Sequence, residues 1–399
     1  LPLGRLADIY GRKKIFSTGL LLFTAASLMV GLAPTITVLL IGRALQGFGA
    51  AMMFATSVAI LTSVFPPSER GRVLGLNVSS VYIGLSLGPV LGGLLTQYAG
   101  WRSIFYLMVP TCAIIWFMLR RHLQQEWRES QGERFDVIGA SLFSVTVSTL
   151  LYGLSSLPKP TGFIIIAIGL AGGVMFLVRQ VQVSHPIMDV RLFRSNRTFT
   201  LSSLAAFINY GATTSVVFLL SLYLQYLKGL SPRSAGLLLV IAPVMQAVTS
   251  PIAGRLSDRI APQRLASAGM GLTVLGLLML IPLRPDSALL YLLACLFILG
   301  LGFGLFSSPN TNAIMSAVER RNYGIASAMV GAMRLLGQMF SMGFATLVLN
   351  HFVGRQAITP EVHPQFQHSM QAIFTVAAMV CFIGVFASLA RGNLRANPN

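Results

Sequence analysis

Long apolar runs, separated by short polar stretches, recur from one end of the chain to the other. A helix that crosses a bilayer needs roughly 20 mostly apolar residues. Twelve runs reach that length, at about 15–33, 37–63, 73–96, 103–120, 137–157, 161–180, 200–227, 233–252, 263–283, 287–307, 322–349 and 370–390. They predict twelve complete spanning helices and an all-α integral membrane protein. Leu1–Leu3 reads as the end of one more span. Apart from Arg120, Arg179, Arg233 and Arg264 at the very ends of runs, only two charged residues, Arg43 and Arg334, fall inside them.

Composition agrees with this pattern. Of 399 residues, 54% are hydrophobic and 10% charged, against about 25% charged in soluble domains. The net charge of +18 raises the question of nucleic acid, and the distribution of the charges answers it. With the loop at 5–14 in the cytoplasm, alternation puts 21 Lys and Arg on that side. Six fall on the other, at Arg102, Lys159, Lys228, Arg233, Arg284 and Arg355. That asymmetry places the loops 120–136 and 181–198, Arg395 and the C-terminal Asn399 in the cytoplasm. Attraction to anionic lipid accounts for the high charge, and no basic patch interleaved with aromatics remains for nucleic acid. Cys112, Cys295 and Cys381 lie far apart in apolar runs and read as small buried hydrophobes rather than disulfide or metal ligands. The chain starts at Leu1 without a signal peptide, and its beginning is expected to be missing.

The opening stretch, LPLGRLADIYGRKK, carries Arg5, Arg12, Lys13 and Lys14 around one carboxylate, Asp8. Gly4 and Gly11 predict a tight turn between two helices. The chain repeats itself at GRLSDRIAPQR, where Gly254, Arg255, Leu256, Asp258 and Arg264 stand in matching places. A duplicated loop between paired apolar runs implies a protein built from two similar halves. The pattern G-x-L-x-D-x-x-G-R-K-K resembles the signature loop between helices two and three of the major facilitator superfamily. The second copy resembles the equivalent loop of that family's second half. The resemblance implies that Gly4, Arg5, Asp8, Gly11, Arg12 and Lys13, with Gly254, Arg255 and Asp258, form conformational gating loops.

In that frame the first helix and most of the second are absent, and helices three to six fill 15–120. Only two core helices are needed between residue 120 and Gly254, and four are present. The runs at 137–157 and 161–180 therefore form an inserted pair. This divides the chain into an incomplete N-terminal bundle (1–120), an insert with its loops (121–198) and a C-terminal six-helix bundle (199–399). Such a fourteen-spanner resembles the drug:proton antiporter branch (EmrB/QacA-like). So do the phrases HPIMDVRLF at 185–193, LYLQYLKGLSPRSAGL at 222–237 and WRSIFYLMVP at 101–110. The last, with an aromatic and a cation where a helix enters from the outer side, also reads as an interface anchor.

Three further motifs bear on mechanism. Arg43, in LLIGRALQGFGAA, is costly at membrane depth and should face a cavity or a partner; the resemblance implies a part in proton relay. Gly84, Gly88 and Gly92 fall on one helical face, with Gly93 beside it, predicting close packing. Pro89 removes a helical hydrogen bond and predicts a bend. This stretch resembles the family's antiporter signature. In the second half, Asn209, Tyr210, Gln225, Gln246, Asn310, Arg334 and Gln338 are candidate lining residues of a substrate cavity. Phe207 and several Met residues are candidates for an adaptable apolar wall. Ser308–Asn310 reads as an interruption of a span, and His351, His363 and His368 as members of one outer loop.

No nucleotide loop, nucleophile constellation or paired carboxylates occur, so neither enzymatic nor ATP-driven chemistry is indicated, and no cofactor or metal is expected. The resemblance implies a multi-pass protein of the cytoplasmic membrane. It would export drugs or other small amphipathic molecules in exchange for protons by alternating access. A proton-coupled symporter of small metabolites and a non-transporting receptor or scaffold are the alternatives. A periplasmic adaptor is expected if the source is a Gram-negative bacterium. All eleven acids lie in loops or at span edges. The resemblance places the proton-carrying acid upstream of Leu1, near Arg43 in space.

Overall fold

The computed structural model describes residues 1–354 and 358–391, and these are helical with short connections. Arg355, Arg395 and Asn399 lie outside the described residues. The first half comprises α1 (Pro2–Tyr10), α2 (Arg12–Gly31), α3 (Ile36–Val64), α4 (Arg70–Ala99) and α5 (Arg102–His122). A hairpin follows, α6 (Val137–Ser155) and α7 (Pro160–Gln182), then a short α8 (Val190–Ser195). The second half comprises α9 (Arg197–Leu222), α10 (Pro232–Leu239), α11 (Ile241–Arg259) and α12 (Pro262–Leu280). It ends with α13 (Leu289–Ser316), α14 (Tyr323–Phe352) and α15 (His363–Leu389). Among the described residues, twelve helical segments are long and apolar enough to cross a membrane, one for each predicted run. α10 and α11 together make one of them, Pro232–Arg259.

Polar residues at the helix starts set several boundaries. The side chains of Thr35, Asp136, Asn196 and Ser231 each accept a backbone N–H three residues on, satisfying donors that a helix start leaves free. The buried core of the second half joins Leu219, Leu277, Leu296, Phe306, Phe366 and Phe374. On the outside, Ile114, Phe117, Ile168 and Phe382 are exposed, as side chains facing lipid are. The α6–α7 hairpin is tied at its base by Asp136, which accepts from Arg179 Nη2 at 2.7 Å and from Gly139 N at 2.9 Å. Burial pushes that carboxyl up, but the Arg179 guanidinium and the amide donors outweigh it and hold it below its ordinary value. Phe176 of the hairpin packs into a cluster with Met315, Tyr323 and Met329 of α13 and α14. Cys112, Cys295 and Cys381 are free and buried.

The two halves meet where α1 and α3 cross α14 and where α4 crosses α11 and α13. Three expectations change here. Gly4 lies inside α1, not in a turn; only Gly11, with φ of 116°, makes the left-handed break between α1 and α2. α13 runs unbroken through Pro309 to Ser316, because its neighbours are buried and the helix is held by packing. His351 belongs to α14, and His363 and His368 to α15, whose helix extends beyond its apolar run.

Candidate functional site

The Asp8 carboxylate is fully buried where α1 meets α14. It accepts from Arg12 Nε at 2.9 Å and Nη2 at 2.8 Å. It also accepts the backbone N–H groups of Gly324 at 3.0 Å and Ile325 at 3.2 Å, at the start of α14. An anion there is favoured by the free donors and dipole of a helix N-terminus. Burial raises its pKa to about 6, against the lowering effect of Arg12 and the two amides. Arg12, itself fully buried, also donates to Ser63 Oγ at 2.7 Å and to the Arg320 carbonyl at 2.5 Å. Its guanidinium lies 5.3 Å from the Tyr323 ring centroid, as does that of Arg70. A side chain at Gly4 would collide with the Gly324 carbonyl, so only glycine lets the two backbones approach this closely.

The second loop repeats the arrangement with the halves exchanged. Asp258, on α11, accepts the N–H groups of Gly71 at 2.7 Å and Arg72 at 2.9 Å, at the start of α4. Gly71 and Gly254 press backbone on backbone, and neither has room for a Cβ. Ser79 continues the seam one step deeper, donating to the Ala247 carbonyl at 2.6 Å. Each half therefore contributes one carboxylate and one helix N-terminus to the other. Of the remaining candidates here, Lys13 offers its backbone N–H to Glu126 at 2.9 Å, and Arg255 is exposed.

Beside these latches a cavity is lined by both halves, including Phe54, Val78, Tyr82, Tyr210, Ser327 and Arg334. Its volume of about 90 Å³ is below the roughly 300–1,000 Å³ of pockets that hold drug-sized ligands. Arg334 carries its guanidinium 5.6 Å from the Tyr210 ring centroid. Tyr82 and Tyr210 both meet Phe303 edge to face, at 5.8 and 5.1 Å between centroids.

Of the seven predicted cavity residues, Tyr210 and Arg334 line this space. Asn310 does not: its amide donates to the Ser202 carbonyl at 3.2 Å and accepts from Arg391 at 2.7 Å, tying α13 to α9 and the chain beyond α15. Gln225 bonds to Ser221 within its own helix. Asn209 is buried with its amide unbonded, and Gln246 and Gln338 lie half-buried away from the cavity lining. Phe207 packs against Phe340. Arg43 lies on an exposed face of α3, donating to Gln46 at 2.9 Å, and no described carboxylate pairs with it. The expected close packing at Gly84, Gly88 and Gly93 is absent: a Cβ at any of them meets nothing within 4 Å, and one at Gly92 only Ile104 at 3.9 Å. Pro89 lies within α4 on the same exposed stretch. Apart from Ile104 of α5, nothing packs on that glycine face.

The helix starts that receive the carboxylates escaped the sequence reading, because backbone amides have no residue signature. A signal did exist. Glu69-Arg70-Gly71 and the stretch Glu319-Arg320-Arg321-Asn322-Tyr323-Gly324 both place an acid, a cation and a glycine at the start of a span. The linker residues Glu126, Trp127, Ser130 and Glu133, all bonded to the stretch 5–13, were also missed.

Two helical halves, exchanging carboxylate caps at one end around a shared cavity, define a multi-pass membrane transporter. The chain belongs to the Major Facilitator Superfamily, whose sequence profile matches residues 1–188 and 202–398. It is 30% identical over 392 residues to "Riboflavin transporter RibZ" of Clostridioides difficile, covering 97% of this chain and 84% of that protein. It is 34% identical over 348 residues to "Multidrug resistance protein Stp" of Mycobacterium tuberculosis, covering 86% of this chain but only 64% of that protein. "Multidrug transporter protein MdtP" of Bacillus subtilis is 29% identical over 87% of this chain and 65% of its own length. Among solved structures, the human organic anion transporter MFSD10 superposes with a TM-score of 0.66 at 14% identity, over 97% of this chain and 79% of that one. That likeness speaks to the fold.

Proposed function

We propose that the protein exports small amphipathic molecules across the cytoplasmic membrane, in exchange for protons, by alternating access. The observation that carries this reading is the pair Asp8 and Asp258, each hydrogen-bonded to a helix N-terminus of the opposite half. Such bonds are short-ranged and hold one arrangement of the halves, so breaking both lets the halves rock about the cavity. The basic loops gather at this latched end, which makes it the cytoplasmic side. Asp8, Asp258 and their neighbours act as gate, and Arg334 and Tyr210 contact the substrate. The relatives named for multidrug resistance and multidrug transport support the export of varied compounds. The stretch from Gly84 to Gly93, with its likeness to an antiporter signature, supports exchange. The inserted hairpin α6–α7 supports the fourteen-spanner branch.

The test uses inside-out vesicles carrying the full-length protein, an imposed pH gradient and a fluorescent drug. Accumulation that collapses when the gradient is dissipated is the expected result. Uptake indifferent to the gradient would remove proton exchange from the reading. A second reading, riboflavin as the transported molecule, is favoured by the 97% coverage against RibZ and by the Tyr82, Phe303 and Tyr210 rings beside the cavity. Flat heteroaromatic rings stack on such surfaces. Competition of riboflavin with the drug in the same vesicles separates the two.

A further inference from the structure

The linker between α5 and α6 carries more of the gate than its loop character implies. Glu126 accepts the Lys13 N–H on Oε1 at 2.9 Å and the Lys14 N–H on Oε2 at 3.1 Å. It thereby caps the start of α2, where an anion is favoured. The Trp127 carbonyl accepts the Arg12 N–H at 3.1 Å, and the Ser130 N–H donates to the Asp8 carbonyl at 3.1 Å. Arg5 of α1 donates to Ser130 Oγ at 3.3 Å and to the Glu133 carboxylate. Trp127 is buried, 8% exposed, which anchors the segment. At the left-handed Gly11, a Cβ would lie 2.7 Å from Glu126 Oε1. The carboxylate thus fills the space that any other residue at that turn would need.

We infer that residues 126–133 brace the gating loop, and that Glu126 is a positioning residue for the Asp8 latch. Asp8 stands three residues before Gly11, on the last turn of α1. The angle between α1 and α2 therefore aims its carboxylate at Gly324 and Ile325. Hydrogen bonds weaken steeply with misalignment. A turn freed from Glu126 lets α1 rotate, and both amides of α14 lose their acceptor. The brace rests on the alternating-access reading for its consequence but not for its geometry.

The experiment measures conformation without substrate or gradient. In the full-length protein, Ser327→Cys places a reporter on α14 that is 1% exposed in the latched state. Its labelling by an impermeant maleimide is followed from the basic side, in inside-out vesicles. Glu126→Ala should label roughly fivefold faster, the size of losing one capping side chain. Glu126→Asp, too short to reach both amides, should fall between, and is the variant to read if the alanine form fails to insert. Glu129→Ala, an exposed neighbour with no described partner, should match wild type. Equal labelling of wild type, Glu126→Ala and Glu126→Asp would overturn the brace. So would faster labelling that Glu129→Ala reproduces. A merely structural role for Glu126 would lower yield and melting temperature and leave the labelling rate of the inserted protein unmoved. Failure of gradient-driven transport in vesicles carrying the protein with Ser327 intact would count against the exporter reading alone.

Discussion

Along α4, glycine does two opposite things. Near its start, Gly71 and Gly75 press on Gly254 and Ser250 of α11; a Cβ at Gly75 would lie 2.5 Å from the Ser250 carbonyl. Further on, Gly84, Gly88 and Gly93 face nothing within 4 Å. The seam between halves closes at Ser79 and the Tyr82–Phe303 contact and goes no further along α4. One helix is thus sealed at its latched end and free at the other. The difference teaches that a glycine stripe marks a face able to take a close neighbour, while the arrangement of the other helices decides whether one is there.

The comparison is easiest to break at Asp8. Asp8→Asn puts an NH2 group, which cannot accept, among the donors of Arg12, Gly324 and Ile325, and a buried donor left unsatisfied costs roughly 1–3 kcal/mol. Basic-side labelling of Ser327→Cys should rise strongly and turnover should fall, with the protein still inserted. Normal efflux in that variant would count against the latch. Gly71→Leu comes next. It drives a side chain into the Gly254 backbone, an overpacking cost of roughly 1–3 kcal/mol, and should open the same end. Melting in detergent should drop less than labelling rises, because the strain lies between halves.

A smaller effect follows from acidity. Asp8 holds its proton up to about pH 6 in the latch, whereas a solvated carboxylate releases it near pH 4. Protonation therefore favours the latched form. Its contribution is full below about pH 4 and is lost as pH rises through about 6. Spin labels at Tyr10→Cys and Arg321→Cys should report more of the short distance at pH 5 than at pH 7, and the dependence should flatten in Asp8→Asn. The smallest expected change sharpens the contrast. Gly88→Ala should leave labelling at the latched end untouched, since its Cβ meets no atom there. If it slows transport while sparing that equilibrium, the stripe is used only in the opposite state.

The twelve spans were legible because lipid imposes them one at a time. A run of about 20 apolar residues is helical at membrane depth whatever it packs against. Asp8 and Asp258 were legible as a pair because a duplicated motif repeats its side chains. Their acceptor role was not, since it is completed by amides 316 and 187 residues away along the chain. Asn310 was misread for a related reason: an amide at membrane depth signals a polar partner, and Arg391 rather than a cavity provides it. Composition made the linker a basic loop, and only contact with the α1–α2 turn gave Glu126 a function.

What this chain determines by itself is therefore local: where it enters and leaves the membrane, which end gathers cations, which residues are small enough for backbones to touch. Hydropathy, charge and side-chain volume act residue by residue, and a single sequence carries them. The tertiary structure alone decided which glycines were filled against a neighbour, which polar groups found one another, and which of two ends was shut. Those outcomes depend on backbone donors and on the distance between two halves, and neither quantity is written in any one residue.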